Sequence, residues 1–553
     1  MRLGLDLDNT LVNYESAFAR AAWDLGMIDE PWVGTKQALK SHLLKQANGD
    51  YTWKLLQGQV YSRYLTHARM VDGVPLFLHR CRLRGTVPWI VSHKTMYGHY
   101  DEGGVPLRDA AMEWLEKQGM FCENEYGIDR SQVYFENTRL SKARKVDILG
   151  CTHFVDDLPE VFDEPTFPDS VIQIHYCRDF SNEHSPCGKR ITSSSWHEIG
   201  NLLLGIMDED EVLRLVNDRW SEVEFTECSS VAGSGNSRVH KLMIDGVGVS
   251  SLKSYPDRET ENRDRLGIES RTCEFLHEHG VECVPMVMQA DRSLNWALYS
   301  WVDGEEIIEA NSKDLNCTLD FTNTLFRLAK EPEAESLSKA WEACLSGFEL
   351  VRQIHSRIES LLEFTENQTY LENFLKLEFS PVLAQAETRA RELWPGSFYR
   401  EISRDSQTLS PSDFGFHNAL RKLNGELVFL DLEYFGWDDP VKLISDFLWH
   451  PAMKLSDSLK KTWIDQTFNI FRDDSNLEKR FLAANPLYGL RWALIILNEF
   501  LPNVWERRMY ASTQVVKDRE KTLEEQLKKA KKYCYLVKSL LDKKHEFGFL
   551  YSK

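Results

Sequence analysis

Short apolar runs alternate with longer amphipathic segments over the first 175 residues of the chain. The chain opens on an apolar stretch at 3–7, and the short apolar runs at 87–91 and 152–155 each end in polar residues. Helical patterns separate these runs, most clearly at 107–118. This alternation predicts a parallel β-sheet with helices on both faces.

Two interruptions of this pattern divide the chain. Residues 13 to about 75 have a mostly helical pattern and follow the first strand directly, as an inserted helical cap would. Residues 177–195 are polar and rich in Asn, Ser, Pro and Gly, which is typical of a linker. We therefore predict a first domain of the α/β class at 1–200, with its cap at about 13–75.

Beyond the predicted linker the pattern changes again. Residues 222–255 alternate short strands with Gly-containing turns, and from about 315 the chain is predominantly helical. These features predict a second domain at 205–553, whose strands precede most of its helices. The two domains are expected to fold and act separately.

Composition and charge narrow the range of functions. Of 553 residues, 85 are acidic and 66 are basic, and the formal net charge of −19 argues against nucleic-acid binding. No apolar run approaches the ~20 residues of a membrane-spanning helix. Asp6 and Asp8 interrupt the N-terminal apolar stretch, so no signal peptide is expected. The eleven cysteines are scattered, which favours a reduced, cytoplasmic setting.

Two carboxylates follow the first predicted strand at once. Asp6 and Asp8 stand two residues apart where that strand ends, and in open α/β sheets the site lies at the carboxyl ends of the strands. One carboxylate of such a pair can attack phosphorus, and the other can protonate the leaving oxygen. Mg²⁺ prefers oxygen ligands and offsets the repulsion between an anionic nucleophile and a phosphate.

Three further elements complete a candidate phosphate site. Ser92 ends an apolar run, where its hydroxyl can bind a phosphate oxygen, and Lys142 opens a helix and can neutralise the same phosphate. Lys145 lies one helical turn further on and competes with Lys142 for this role. Asp156 and Asp157 end another predicted strand and are suited to holding Mg²⁺.

In this order, the four elements resemble the motifs of the haloacid dehalogenase-like (HAD) hydrolase superfamily over residues 1 to about 195. The resemblance implies a Rossmann-like domain with Asp6 as nucleophile and Asp8 as general acid/base. It also implies Mg²⁺ held by Asp6, Asp156 and the Asp8 carbonyl, and phosphatase rather than dehalogenase chemistry. The residues that match the motifs are Asp6, Asp8, Thr10, Ser92, Lys142, Asp156 and Asp157.

A second constellation stands near the end of the chain. Asp413 is followed five residues later by Asn418, and Asp431 lies thirteen residues further on, in a predicted strand. This order suits phosphoryl transfer from a nucleotide. The first Asp accepts the proton of the substrate hydroxyl, and the Asn and the second Asp hold Mg²⁺ on the phosphates.

Upstream residues supply candidates for binding the nucleotide. Gly233, Ser234 and Gly235 lie between two strand patterns, where their backbone amides can cover phosphates, although a hairpin turn explains them equally well. Lys253 lies in a predicted strand, placed to reach the α- and β-phosphates.

Two more candidates lie further along the predicted second domain. Glu269 lies in a helical stretch and can pair with the strand lysine, and Glu261 is the alternative partner. Trp301 belongs to the predicted strand and hinge against which an adenine would pack.

Residues about 205 to 553 resemble the aminoglycoside phosphotransferase and choline kinase-like family, a branch of the protein-kinase-like fold. The resemblance implies a bilobal α+β domain, with an N-lobe at about 205–305 and a C-lobe at about 306–553. It further implies ATP-dependent phosphorylation of a small-molecule hydroxyl. The roles it carries over are Asp413 as catalytic base, Asn418 and Asp431 as Mg²⁺ ligands, and Lys253 with Glu269 as an ion pair.

The catalytic loop departs from the family pattern at one place. The family usually has His-Gly before its catalytic Asp, whereas Pro411 and Ser412 stand there in this chain. His417 does not replace that histidine in position. The departure concerns the scaffold of the loop more than its chemistry, because the two Asp residues and the Asn are all present.

Together the two constellations predict a bifunctional enzyme, a Mg²⁺-dependent phosphatase joined to an ATP-dependent small-molecule kinase. We expect a phosphorylated sugar or polyol as substrate, in carbohydrate or cell-envelope precursor metabolism. The two activities should act on different positions, because a kinase and a phosphatase that share one position only hydrolyse ATP. Two alternatives stay open: a nucleotide-sensing regulatory protein with a pseudokinase lobe, and an antibiotic-modifying phosphotransferase.

Overall fold

The computed structural model shows a mixed α/β protein in which a first half, residues 1–204, packs against a second half, residues 205–542. It describes residues 1–98, 104–178, 190–231, 237–256, 263–364, 369–502, 504–505 and 519–542. No helix in these ranges combines the length and the apolar character that crossing a membrane requires.

A six-stranded parallel sheet forms the centre of the first half. Its strand order is β5-β4-β1-β6-β7-β8, so β1 lies between β4 and β6. The carboxyl ends of these three strands therefore meet at one edge of the sheet. The strands are β1 (Leu3–Leu5), β4 (Trp89–His93), β5 (Val133–Glu136), β6 (His153–Asp156), β7 (Ile172–Tyr176) and β8 (Arg190–Ser193).

Helices surround this sheet, and four of them follow β1 before the next strand of the sheet. A small antiparallel pair, β2 (Val12–Asn13) and β3 (Arg69–Met70), brackets the first three of these helices. Their apolar faces share one core with β1 and β4. The helices are α1 (Glu15–Asp24), α2 (Lys36–Leu44), α3 (Gly49–Val60), α4 (Val74–Leu83), α5 (Leu107–Lys117), α6 (Arg139–Ile148), α7 (Pro159–Phe162) and α8 (Trp196–Leu204).

The segment predicted as a linker is partly ordered structure of the first half. β8 pairs in parallel with β7, and Trp196 at the start of α8 packs against Phe77 with ring centroids 5.0 Å apart. The linker prediction is therefore wrong for residues 190–195. Residues 179–189 lie outside the described ranges.

A five-stranded antiparallel sheet of order β12-β13-β11-β10-β9 opens the second half. Helix α9 (Glu209–Arg219) covers one face of this sheet. Three acidic residues in its first turn stabilise it, because their negative charges lie at the positive end of the helix dipole. Helix α10 (Arg265–Glu278) follows the third strand. The strands are β9 (Phe225–Val231), β10 (Arg238–Ile244), β11 (Gly248–Ser254), β12 (Val287–Asp291) and β13 (Trp296–Ser300).

The remainder is a helical lobe with two small sheets, one of three strands and one of two. Its largest core joins α10 and β13 to the helices that follow. The strands are β14 (Glu305–Glu306), β15 (Thr408–Ser410), β16 (Ala419–Arg421), β17 (Leu427–Phe429) and β18 (Gly436–Asp438). The helices are α11 (Ser312–Leu328), α12 (Gly347–Glu363), α13 (Thr369–Asn373), α14 (Ser380–Leu393), α15 (Pro440–Trp449), α16 (Asp457–Ile470), α17 (Leu477–Ile496) and α18 (Arg519–Asp542).

Short helical turns complete the described structure. A π-helical segment, Phe374–Phe379, joins α13 to α14. The 3₁₀ turns are Leu65–His67, Arg130–Gln132, Pro332–Ser336, Arg404–Ser406, Phe416–Asn418 and Leu497–Phe500.

Helix α4 of the first half packs directly against α9 of the second half. Leu76 and Leu83 contact the apolar core that α9 forms with its sheet. Arg80 and Arg84 both pair with Glu211, at 3.0 and 2.6 Å respectively. The two halves therefore share a contact that combines apolar packing with ion pairs.

Candidate active sites

The first candidate site lies where β1 and β6 end. Asp6 follows β1, and Asp156 is the last residue of β6. Lys142 reaches both carboxylates, since its Nζ lies 2.5 Å from Asp6 Oδ1 and 2.6 Å from Asp156 Oδ2. A capping box between Thr138 and Ser141 starts helix α6 and so fixes the turn that carries this lysine.

The carboxylates at this site are crowded and buried. Asp6, Asp156 and Asp157 present oxygens that lie within 4.8 Å of one another. Burial raises the pKa of Asp6, with the charges of Asp156 and Asp157 adding to it, although Lys142 opposes the shift. Burial and the Asp156 charge raise the pKa of Asp157 to about 7. Clustered carboxylate oxygens are the donors that Mg²⁺ takes, so the three residues fit this ion.

Asp8 is held by two residues that the sequence did not single out. Lys94 Nζ donates to Asp8 Oδ1 at 2.9 Å, and the Tyr14 hydroxyl donates to the same oxygen. Asn9 has a φ of 60°, a left-handed conformation that turns the chain directly after Asp8. Strained backbone of this kind is concentrated at functional sites.

The helices that follow β1 add another positive group to this site. Lys36 of α2 donates from Nζ to Asn9 Oδ1 at 3.0 Å. Burial lowers the pKa of Lys36 to about 8, against the opposing charges of Asp157 and Asp8. Helix α2 therefore approaches the end of the sheet where Asp6 lies.

Ser92 and the two competing lysines occupy different surroundings. The Ser92 hydroxyl is buried and has no hydrogen-bond partner among the described residues. Lys145 points away from Asp6, with its Nζ 3.5 Å from Glu136 Oε1 and 4.6 Å from the centre of the Tyr134 ring. The geometry thus brings Lys142, and not Lys145, to the carboxylates.

The second candidate site lies between the five-stranded sheet and the helical lobe. Lys253 of β11 lies 2.7 Å from Glu269 Oε2 of α10 and also contacts Asp431, just after β17. Glu433 Oε2 lies 3.5 Å from the same ammonium group. Burial lowers the pKa of Lys253, but the three neighbouring carboxylates raise it overall, so this lysine stays charged.

Tyrosines and an arginine enclose this cluster. Tyr255 donates its hydroxyl to Glu269 Oε2 at 2.8 Å and lies 2.6 Å from the Tyr299 hydroxyl. Arg265 pairs with Glu433. Burial raises the pKa of Glu269, although the Lys253 charge opposes this shift. Glu269 and Glu433 are thus each held by a contact besides the one with Lys253.

The acidic groups around Lys253 also fit a cation. Glu269, Asp431 and Glu433 have oxygens within 4.8 Å of one another, and hard oxygen donors are what Mg²⁺ takes. Asp431 has a φ of 57°, again a left-handed conformation. Asn418 is tied to the neighbouring loop, because its backbone carbonyl accepts from Leu430 N at 2.8 Å.

Asp413 stands in the loop that precedes β16. The Asn418 side chain donates to the Asp413 backbone carbonyl at 3.0 Å, which closes the loop. His417 Nε2 lies 3.0 Å from Asp413 Oδ1, and His450 Nε2 lies 3.6 Å from the same oxygen. Burial raises the pKa of Asp413, but the hydrogen bond and charge of His417 outweigh it and hold the pKa at about 2.

Of the remaining candidates for nucleotide binding, the structure describes only Trp301. Trp301 follows β13, and its indole N–H donates to Asp303 Oδ1 at 2.8 Å. The centre of its ring lies 4.7 Å from Lys241 Nζ. A cavity of about 540 Å³ opens beside Trp301. Residues Gly233, Ser234, Gly235 and Glu261 lie outside the described ranges.

The sequence pattern did not indicate several residues that the structure brings to these sites. Glu433 was detectable, because Asp431-Leu432-Glu433 repeats the spacing of Asp6 and Asp8 after a strand. Lys94 stands two residues after Ser92 at a strand end, which is a weaker signal of the same kind. His450 gave no local signal, since only tertiary packing brings it to Asp413.

Comparisons with known proteins give structural likenesses only. No protein-family model and no curated protein sequence matches this chain. Spectinomycin phosphotransferase, solved with ADP and spectinomycin, is similar over 60% of this chain and 99% of its own, with 10% identity and a TM-score of 0.40.

Two further solved structures show a similar degree of likeness. Plasmodium vivax ethanolamine kinase matches 64% of this chain and 96% of its own, with 11% identity and a TM-score of 0.39. Choline kinase from Cryptosporidium parvum matches 61% of this chain and 100% of its own, with 11% identity and a TM-score of 0.37. These neighbours are small-molecule kinases by name. Likeness at this level defines no activity.

Proposed function

We propose that residues 205–553 form an ATP-dependent kinase that phosphorylates a hydroxyl of a small molecule. The observation that carries this proposal is the contact of Lys253 with Glu269 and Asp431 together. A charged lysine fixed by a helix carboxylate, next to a second acid, suits the binding of nucleotide phosphates. Asp413, which lies in the facing loop, supplies the base that takes the proton of the acceptor hydroxyl.

Each residue has a defined task in this proposal. Lys253 binds the phosphates of ATP, and Glu269 keeps its ammonium group in place. Asp413 takes the proton of the acceptor hydroxyl while the new O–P bond forms and the bond to the leaving ADP breaks. Asn418 and Asp431, with Glu433 as a further carboxylate, would hold Mg²⁺. The ion, when bound, supplies charge neutralisation on the phosphates.

A cavity beside the catalytic loop bears on the class of acceptor. It has a volume of about 600 Å³, and the Trp341 carbonyl in its wall accepts from Ser412 Oγ at 3.1 Å. Each acid of the wall already faces a base. The pairs are Glu342 with Arg357, Glu349 with Arg352, and Glu401 with Lys339.

Such a wall offers polar groups without a surplus of negative charge. A polycationic antibiotic is recognised by complementary negative charge, which this wall does not present. We therefore favour a hydroxyl-rich acceptor, such as a sugar or polyol.

The kinase proposal is tested by transfer of the labelled γ-phosphate of ATP to panels of sugars, polyols, amino alcohols and aminoglycosides. The Asp6→Asn variant is used, so that a phosphatase in the same chain does not remove the label. Labelled sugar or polyol supports the proposal, and labelled aminoglycoside would favour antibiotic modification. ATP binding without transfer to any acceptor, with Mg²⁺ varied, would favour a regulatory pseudokinase.

A second activity is favoured by a separate observation, the bridge of Lys142 between Asp6 and Asp156. For residues 1–200 we propose a phosphatase in which an Asp6 oxygen attacks phosphorus as the ester P–O bond breaks. Asp8 gives its proton to the leaving oxygen, and water then releases phosphate from Asp6. Ser92 and Lys142 bind the phosphate oxygens. Asp6, Asp156, Asp157 and the backbone carbonyl of Asp8 would hold Mg²⁺, which supplies charge neutralisation when bound.

Hydrolysis of p-nitrophenyl phosphate tests the phosphatase proposal. The wild type should hydrolyse it in the presence of Mg²⁺, and Asp6→Asn should abolish this activity. Asp163→Asn is the matched control, since that surface aspartate pairs only with Arg190 among the contacts described for this region. A wild type without hydrolysis, or an active Asp6→Asn variant, would contradict the proposal.

A further inference from the structure

Two histidines from different parts of the chain converge on one oxygen of Asp413. His417 Nε2 lies 3.0 Å and His450 Nε2 lies 3.6 Å from Asp413 Oδ1. The two imidazole rings stack with centroids 3.8 Å apart and an angle of 4° between their planes. Of the two Nε2 atoms that face this oxygen, the one of His417 is within hydrogen-bond distance, and the stacked ring of His450 backs it.

The surroundings of the rings fix where their protons lie. His450 Nδ1 accepts from the Ala452 backbone N–H at 3.2 Å, so the neutral His450 ring carries its proton on Nε2. His417 Nδ1 is buried without a hydrogen-bond partner among the described residues, and its Nε2 faces the carboxylate. A carboxylate can only accept, so the His417 Nε2–H donates to Asp413, whereas the His450 Nε2–H faces the same oxygen from 3.6 Å, beyond hydrogen-bond distance.

His450 is held rigidly for this role. It follows helix α15, and its backbone N–H donates to the Asp446 carbonyl at 2.8 Å. Its ring meets Trp492 edge-on at 4.5 Å, and the Trp492 indole donates to Asp446 Oδ1 at 2.8 Å. Burial and the facing His417 lower the pKa of His450 to about 4, although Asp413 and Asp446 oppose this, so the ring is neutral near pH 7.

The loop on the other side of Asp413 lacks such a donor. Pro411 has no N–H, and the Ser412 hydroxyl donates away from Asp413, to the Trp341 carbonyl at 3.1 Å. Ser412 also has a φ of 66°, so the chain turns sharply just before the aspartate. The described support for the Asp413 side chain therefore comes from residues that follow it.

We propose that His417 and His450 are positioning residues that aim Oδ2 of Asp413 at the acceptor hydroxyl. His417 holds Oδ1 by a hydrogen bond, and His450 supports it by stacking on its ring and facing the same oxygen. This inference rests on the proposed kinase function. In the transfer step the hydroxyl proton passes to Oδ2, the acceptor oxygen bonds to the γ-phosphorus of ATP, and ADP leaves. The stacked pair takes no proton in this step. It restricts the carboxylate to one orientation.

The test compares two substitutions at each histidine in the full chain. Leu removes the N–H group that faces Asp413, whereas Gln offers an amide N–H close to the position of Nε2. We expect H417L and H450L to lower kcat about 10²-fold, the cost of misplacing a reacting group by about 1 Å. The KM for ATP and the affinity for ATP should stay within twofold of wild type. H417Q and H450Q should recover most of kcat.

The matched control is His355→Leu, since His355 is an exposed histidine of the helical lobe paired with Glu387. This variant should retain the wild-type kcat. Thermal unfolding of every variant is measured alongside, and if a Leu variant does not fold, the Gln variant at that site decides, since it should be active.

Each outcome points to a different conclusion. An active wild type whose Leu variants keep full kcat, or whose Gln variants lose as much kcat as the Leu variants, overturns the positioning role alone. A rise in the KM for ATP at unchanged kcat does the same, because it would place the histidines at the nucleotide. A wild type that binds ATP and transfers no phosphate overturns the proposed function, and this inference with it.

Discussion

The guanidinium group of Arg80 lies 3.0 Å from the carboxylate of Glu211, and both side chains are almost fully buried, at 3% and 1% exposure. The pair joins α4 in the first half of the chain to α9 in the second. Arg84 contacts the same carboxylate, and Arg80 also donates to the Gly205 carbonyl at 2.7 Å. We therefore expect each half to lose stability when it is produced alone.

Glu211→Gln should destabilise the full chain by about 3 kcal/mol at pH 7, because it leaves two arginines beside a neutral partner in a buried contact. Burial raises the pKa of Glu211, but Arg84 and Arg80 outweigh it and lower the pKa below its usual value. The carboxylate therefore adds stability above pH ~4.5, and this contribution is lost as pH falls through the lowered pKa. Denaturant unfolding at several pH values measures the difference.

The control for this prediction is Glu116→Gln, which removes an exposed acid paired with Arg130. Surface pairs contribute at most about 1 kcal/mol, so this variant should unfold almost as the wild type does. Equal losses of unfolding free energy in the two variants, or a difference between them that grows as the pH falls, would show that the buried pair does not stabilise the interface.

Lys142→Met should lower the kcat for p-nitrophenyl phosphate hydrolysis about 10²–10³-fold, the usual cost of removing one group that stabilises developing charge. Lys145→Met should change kcat little, because Lys145 faces Glu136 and Tyr134 instead. Steady-state hydrolysis by the two variants makes the comparison. The assignment of the site lysine would be reversed if Lys145→Met were the inactive variant.

Lys253→Met should lower phosphoryl transfer about 10²–10³-fold, because it removes the cation that faces the phosphates. It also leaves Glu269 and Glu433 buried without their shared ammonium group, so a lower unfolding temperature is expected as well. Lys330→Met is the control, since Lys330 is exposed on the helical lobe. Transfer rates and thermal unfolding separate the two effects, and an active Lys253→Met protein would remove this lysine from the mechanism.

The sequence predicted those parts of the sites that follow directly from strand ends. Asp6 and Asp156 come together because β1 and β6 are parallel neighbours, so polar residues after two apolar runs meet at one edge. β8 escaped prediction for a physical reason. It is an edge strand with only Ser193 buried, and it therefore lacks the apolar run that marks a central strand.

Contacts made by tertiary packing could not be predicted in this way. Lys94 reaches Asp8 only because β4 lies beside β1, and His450 reaches Asp413 only because α15 ends beside the catalytic loop. The contact of Lys253 with Asp431 likewise depends on how the sheet and the helical lobe meet. Periodicity predicts the elements, whereas these side chains depend on how the elements are packed.

The most direct test of the central claim, that this chain transfers phosphate from ATP by means of Asp413, compares Asp6→Asn with the double variant Asp6→Asn/Asp413→Asn. Transfer of the labelled γ-phosphate to the best acceptor is measured beside the affinity for ATP. We expect the double variant to bind ATP as the single variant does and to transfer label ~10²–10⁴-fold more slowly, as loss of a general base requires. Equal rates of transfer in the two proteins would contradict the account.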